Sequence, residues 1–271
     1  LYMSLALQLP WWVCLLGAIV AGALLGAASG FLKTKFNVNE VISCIMFNWI
    51  SLYCVNILLG GVKETTSPYS LRLKGNAPEA LMPGMGLGEF FTKNQYVTIG
   101  IPLAIIVAVA IWVLLEKTKL GYELKATGNN KNAAKYAGMK ENRNIILTMM
   151  IAGALAGMGG FVYSLTTANC TANGDVAGFG FLALAVMIFG NWKPGNIALS
   201  SLLFGLFKCI AAAYSTLDIN GDGVFMLAEI GISSHLYRML PYLVTLAVLA
   251  FTSKKSRAPK AEGIPYDKGS R

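Results

Sequence analysis

Apolar residues in this chain gather in long blocks separated by polar gaps instead of alternating with polar ones at short spacing. Seven blocks stand out, at about 11–31, 41–60, 97–115, 145–165, 178–190, 196–214 and 236–252. A hydrocarbon core of about 30 Å takes roughly 20 helical residues at 1.5 Å rise per residue. One such block fits a buried core helix, but a series of them predicts an all-α, polytopic membrane helix bundle with about seven transmembrane segments. The block at 178–190 is the exception. Its apolar part, Phe179 to Phe189, would rise only about 16 Å. It is therefore a short or broken span, re-entrant or crossing, and its glycines (Gly174, Gly178, Gly180, Gly190) suit a discontinuous helix lining a pathway.

Charge orients the blocks. Of the 271 residues 55% are hydrophobic and 13% charged, about half the charged share of an ordinary soluble domain, so the solvent of this chain is membrane lipid. The net charge of +9 lies in the gaps and the tail, a pattern of membrane orientation and not a nucleic-acid footprint. The 116–144 loop holds Lys117, Lys119, Lys125, Lys131, Lys135, Lys140 and Arg143, and the 253–271 tail holds Lys254, Lys255, Arg257 and Lys260. The positive-inside rule makes both cytoplasmic. Alternation then puts the turns at Lys33–Lys35 and Lys193 inside as well, with 62–96, 166–177 and 215–235 outside. The outer 62–96 loop does carry Lys63, Arg72, Lys74 and Lys93, against the rule's drift, although charges in longer translocated loops count for less. If 178–190 failed to cross, the basic tail would end outside, so charge parity favours crossing.

Small residues recur four apart in the first block (Ala18, Gly22, Gly26, Gly30) and in the fourth, where Gly153 and Gly157 interleave with Ala152, Ala156 and Gly160. These are faces for close helix packing. The 116–144 loop has its own order. Asn129 or Asn130 can cap a short helix whose Ala133, Ala134 and Ala137 are expected to share a face, and Gly138 supplies a left-handed stop. Such a helix suits insertion into a cleft of a cytoplasmic partner; the plainer reading is a solvated basic loop.

The pattern Gly128-Asn129-x-x-x-Ala133-Ala134-x-x-x-Gly138-Met139 resembles the cytoplasmic signature of ABC-importer permeases of the branched-chain amino acid, ribose and nucleoside type. Two further stretches agree. Phe36 to Trp49, with Asn37, Asn39, Glu40 and Asn48, is similar to the stretch after the first inner loop of nucleoside-type permeases. Gly178-Phe-Gly-Phe181, Ala185-Val, Gly190 and Pro194-x-Asn resemble the family's late broken span. The resemblance runs from about residue 10 to 252. It implies a single permease domain over 1–271 with upstream spans missing, in a bacterial plasma (inner) membrane with the C-terminus cytoplasmic. By the same resemblance a second permease subunit pairs with it, and cytoplasmic ABC ATPase subunits dock on the 116–144 coupling loop through Gly128, Asn129, Ala133, Ala134 and Gly138. An external solute-binding (lipo)protein delivers the solute. The choice of a nucleoside over a simple sugar comes from the likeness around Glu40 to Trp49 alone.

The chain contains no Gly-Lys dipeptide and therefore no G-x-x-x-x-G-K-[ST] phosphate loop, so no cofactor is expected in it and a partner would use the ATP. Gly84-x-Gly86-x-Gly88 lacks the preceding strand a nucleotide loop needs. In the second block Cys44, Asn48, Ser51 and Val55 form one stripe, on which Asn48 and Ser51 either line the pathway or bond a neighbouring helix. Asn37-x-x-Glu40 reads as a capping box. Lys208 is the one ionisable residue well inside a span, where it serves the pathway or snorkels to the outer interface. With Phe179 and Phe181 of the broken span, these three complete the set of pathway candidates.

Asp218-x-Asn220-x-Asp222-Gly223 with Glu229 has Ca²⁺-loop spacing, but its flanks are membrane spans, so an acidic outer loop is the preferred reading and no metal is expected. The scattered Cys14, Cys44, Cys54, Cys170 and Cys209 form no C-x-x-C pair. His235, the one histidine, builds no catalytic cluster, so an enzyme is not expected. The alternative transporter is ion-coupled; its proton-driven form lacks the intramembrane acid it needs, while sodium coupling could use backbone, Asn or Ser oxygens.

Overall fold

The computed structural model describes residues 2–60, 70–72, 82–83, 98–166, 169–171 and 178–213, and singly 235, 236, 239, 243 and 246. The chain falls into two compact units, divided between Asp175 and Val176. In the first, α1 (Tyr2–Leu5), α2 (Trp11–Phe36), α3 (Glu40–Gly60), α4 (Gly100–Lys117), α5 (Lys119–Asn129), α6 (Lys131–Tyr136) and α7 (Glu141–Thr166) follow in order. The second contains α8 (Phe179–Phe189) and α9 (Pro194–Ala213). Residue 235 and, within the seventh block, residues 236, 239, 243 and 246 are helical.

Four of the described helices are long and apolar enough to cross a membrane: Trp11–Phe36, Glu40–Leu58, Gly100–Lys117 and Glu141–Ser164; Phe179–Phe189 is shorter. Their large apolar side chains point mostly outward, as with Leu24, Ile57, Ile105 and Ile106. In water an apolar surface of that extent would drive aggregation; in lipid it is the expected outer face. The two strands among the described residues form a short ribbon in which β1 (Ser70–Arg72) pairs antiparallel with β2 (Asn169–Thr171), Leu71 opposite Cys170.

The two stripes of small residues meet each other. A methyl built on Gly22 would overlap the carbonyl oxygen of Gly153 and lie 3.2 Å from Cα of Gly157. One on Gly26 would overlap the carbonyl oxygen of Met149, one on Gly157 that of Ala18, and one on Gly30 would come within 3.1 Å of Cα of Ile146. Partner numbers fall on one helix as they rise on the other, so α2 and α7 run antiparallel with backbones in contact, the geometry that small residues four apart allow.

That packing sorts the ends of the first unit. At one end lie the start of α2, the end of α7 and the ribbon. Gly100, which opens α4, is there too, near Val162 and Met82. The other end collects Lys33, Lys35, the short turn into α3 and the α5–α6 segment. The ribbon takes one strand from each of two segments assigned outside, Ser70–Arg72 and Asn169–Thr171, and the basic turn shares the other end with the 116–144 loop.

The α2–α3 turn corrects one expectation. Asn37 and Glu40 do not form a capping box. Asn37 closes α2 in the left-handed region (φ 56°), its backbone N–H donating to the carbonyl of Leu32. It is Asn39 whose Oδ1 accepts from the N–H of Val41, at 2.8 Å. Glu40 instead pairs with Lys33 at 2.8 Å across the turn. The carboxylate is thus held through Oε1 by the ion pair, while its Oε2 is buried with no hydrogen-bond partner among the described residues.

In the second unit Leu182, Val186 and buried Phe204 form a core, with Ala185, Phe189 and Ile197 packed around it. The rings of Phe189 and Phe204 meet edge to face at 5.6 Å. The helix of the fifth block has the 11 residues its apolar run anticipates.

Candidate functional site

The 116–144 segment is a folded cap across the ends of α4 and α7. Thr118 ends α4 and starts α5: its hydroxyl donates to the carbonyl of Leu114 and accepts from the N–H of Gly121 at 3.1 Å. Gly121 is buried against that corner, where a methyl would overlap the carbonyl oxygen of Leu114. Lys125 reaches back to Glu116 in an exposed ion pair.

Asn129 is the last residue of α5, and Asn130 is the cap of α6, its Oδ1 accepting from the N–H of Ala133 at 3.1 Å. The expected stop at Gly138 is present with φ +77°. The N–H of Gly138 donates to Lys135 and that of Met139 to Ala134, each at 3.0 Å, the paired bonds of a Schellman ending.

The three alanines do not share one face. Ala134 is 3% exposed, turned into the protein, while Ala133 and Ala137, four apart, face outward. On a helix i and i+4 fall together and i+1 lies about 100° away, so a six-residue helix lying on α5 and α7 has to bury one of them. Gly128, Asn129 and Gly138 are exposed as well. The outward surface is therefore Gly128, Asn129, Ala133, Ala137 and Gly138, without Ala134.

Beneath this surface runs a buried polar link. Asn144, in the first turn of α7, donates from Nδ2 to the hydroxyl of Thr127 in α5 at 3.0 Å, and that hydroxyl donates to the carbonyl of Glu123 at 2.7 Å. Both residues are buried. The cap is thereby tied to α7, and through the glycine contact α7 is tied to α2.

The pathway candidates lie apart from the cap. On α3, Ser51 is half-buried on the side that also carries Glu40, Ser43 and Phe47, whereas Asn48 is exposed. An exposed amide midway along an apolar span asks for water, solute or another subunit. Farther along α3, Oδ1 of Asn56 is buried with no hydrogen-bond partner among the described residues. In the second unit the ammonium of Lys208 sits over the ring of Phe179, 3.4 Å from its centroid, and Phe181 is 77% exposed. Gly84-x-Gly86-x-Gly88, the Asp218–Glu229 stretch and the 253–271 tail lie outside the described residues.

Residues 1–249 match the family described as branched-chain amino acid transport system / permease component. The chain belongs to this permease family. Among its relatives, the guanosine ABC transporter permease protein NupQ of Bacillus subtilis is 30% identical over 270 residues, covering 96% of this chain and 79% of that protein. The nucleoside ABC transporter permease protein NupC of Lactococcus lactis subsp. cremoris is 31% identical, covering 96% and 78%. The glucose ABC transporter permease protein TsgB13 of Haloferax volcanii is 27% identical, covering 93% and 64%. No solved structure matches the chain. The permease is a multi-pass membrane subunit of a transport system and not itself an enzyme; hydrolysis of ATP belongs to a separate subunit.

Three features of the permease's cap escaped the sequence reading. Tyr136 is 93% exposed, a large ring on the outward side of α6, and Tyr122 on α5 is exposed as well. The Thr127–Asn144 link joins residues 17 apart, beyond any local pattern. Gly121 had no role assigned to it from the sequence. A signal did exist for Tyr136: an aromatic inside a polar, basic, alanine-rich stretch has no apolar stripe to join.

Proposed function

We propose that this permease forms the membrane path of an ATP-driven importer for nucleosides, with α5 and α6 as the surface on which a cytoplasmic ATPase subunit docks. The observation that carries the docking reading is the cap itself: two short helices, closed at both ends and hydrogen-bonded to α7, presenting Ala133, Ala137, Gly138 and the exposed ring of Tyr136. Interface hot spots are enriched in tyrosine and other large anchors, ringed by near-neutral contacts that exclude water. A rigid mount lets force applied there reach the membrane helices, which a loose loop cannot do. The nucleoside reading is supported by the relatives named for guanosine and nucleosides, each aligned over 96% of this chain at 30% and 31% identity. The glucose relative is more distant, at 27%.

In this reading the cap, the turn at Lys33–Lys35 and the basic 253–271 tail are cytoplasmic. A second permease subunit completes the path, and an external solute-binding protein delivers the solute to the opposite end. Asn48 and Ser51 supply hydrogen bonds to a polar solute along α3, and Phe179, Phe181 and Lys208 supply the pathway surface of the second unit.

The test is isolation of the tagged transporter in mild detergent, followed by labelled nucleoside uptake in vesicles. A phosphate-loop ATPase should co-purify. Tyr136→Ala combined with Ala133→Arg should weaken its retention at least tenfold while the permease still inserts. Undiminished retention in that variant would remove the docking surface from this cap, and a wild-type transporter that moves no nucleoside would remove the substrate assignment.

A further inference from the structure

Among the described residues, the buried core between α8 and α9 does not include Lys208. The α8–α9 contact is made by Leu182, Val186, Ala185, Phe189, Ile197 and Phe204, and none of these needs a cation beside it. Lys208 stands fourteen residues after Pro194, about 21 Å along α9. Helical side chains lean toward their own N-terminus, and here the ammonium reaches Phe179, which lies about 15 Å from the far end of α8. A hydrocarbon core is about 30 Å thick, so with the Lys193 turn at the membrane surface the pair lies near mid-depth, not snorkelled outward. An ion at that depth is costly, and the ion pairs among the described residues do not include this lysine. Its described neighbour is the face of a ring, with exposed Phe181 two residues farther along α8.

We infer that Lys208 and Phe179 form a subsite that reads the acceptor edge of a 6-oxopurine base; this deepens the nucleoside reading above and rests on it. An ammonium has three donors and no acceptor. It therefore favours a base edge carrying two adjacent acceptors, N7 and O6 of guanine or hypoxanthine, over adenine, whose N7 adjoins an amino donor. The flexible lysine stem lets the ammonium leave the ring for that edge, exchanging a cation–π contact for charge-assisted hydrogen bonds, while the base stacks on the ring face that the ammonium vacates. A simple sugar offers neither the flat face nor the paired acceptors.

The experiment is uptake of labelled guanosine, inosine and adenosine by the complete importer in vesicles, comparing wild type with Lys208→Met, Lys208→Gln and Phe179→Leu. Retention of the ATPase subunit reports assembly of each variant. The same binding subunit delivers all three solutes, so a changed ratio reports the permease. Lys208→Met should lower guanosine and inosine uptake about tenfold or more relative to adenosine. Lys208→Gln, whose amide pairs with N6 and N7 of adenine, should shift the ratio toward adenosine. Phe179→Leu should lower all three alike. Lysine variants that assemble yet leave the ratio at its wild-type value overturn the subsite while nucleoside transport stands. A wild type that carries none of the three overturns the nucleoside reading and the subsite together.

Discussion

Asn144 is a polar side chain buried at the join of cap and span, and its amide has a partner because Thr127 offers a hydroxyl already committed to the carbonyl of Glu123. Thr127→Val keeps the shape, removes the acceptor and strands the amide, which costs about 1–3 kcal/mol. Asn144→Leu releases Thr127 alone, and the double replacement leaves neither group stranded. The two single variants should therefore each lower the thermal midpoint of the extracted transporter, and the double variant should cost less than their sum. Additive losses would mean that the pair carries no coupling. At this scale the local chemistry was legible: a cap at Asn129 or Asn130 and a stop at Gly138 follow from turn chemistry within a few residues. Asn130 did become the cap, and the stop has the expected handedness. What a residue faces was less legible. Ala134 read like Ala133 because both are small, and only the packing of α6 onto the rest of the cap separates them.

At the scale of elements, the spacing of Ala18, Gly22, Gly26 and Gly30 announces a packing face without naming its partner. Several helices in this chain have small residues, and the choice of α7 comes from tertiary register. The pairings Gly30 with Ile146, Gly26 with Met149, Gly22 with Gly153 and Ala18 with Gly157 fit only one antiparallel alignment. Gly153→Ala should therefore destabilise the extracted protein by about 1–3 kcal/mol, because the added methyl meets backbone and cannot be accommodated by a rotamer change. Gly159, on the same helix, supplies the control: a methyl there meets nothing within 4 Å. Gly159→Ala should be neutral or stabilising by roughly 0.5–1 kcal/mol, since alanine restricts the unfolded chain and favours helix. Thermal unfolding of the two variants side by side checks both signs, and equal effects would rule out the close contact. The α2–α3 turn shows the converse limit. Asn37-x-x-Glu40 matched a capping pattern, but the fold pairs the glutamate with a lysine seven residues upstream on the preceding helix.

For the whole molecule, positive-inside counting and alternation place the 62–96 and 166–177 segments on the same side, although the first carries Lys63, Arg72, Lys74 and Lys93. The β1–β2 ribbon supplies an independent reason for their sharing a side, because its strands come one from each segment, Leu71 opposite Cys170. No periodicity could have announced strands of three residues whose partners are about a hundred positions apart. Directly opposed residues of an antiparallel pair have Cα atoms about 4.5–5.5 Å apart, within the roughly 4.4–6.8 Å that a disulfide spans. With Cys14, Cys44, Cys54 and Cys209 replaced by serine, Leu71→Cys should cross-link to native Cys170 under mild oxidation, visible as a shift in gel mobility without reductant. Pretreating intact cells with a membrane-impermeant thiol reagent should block that cross-link, while a cysteine at Ala133, on the exposed side of the cap, should stay unmodified. No cross-link would dissolve the ribbon. A cross-link blocked only after the membrane is opened would keep the ribbon but invert the whole topology, carrying the cap and its docking surface to the outside.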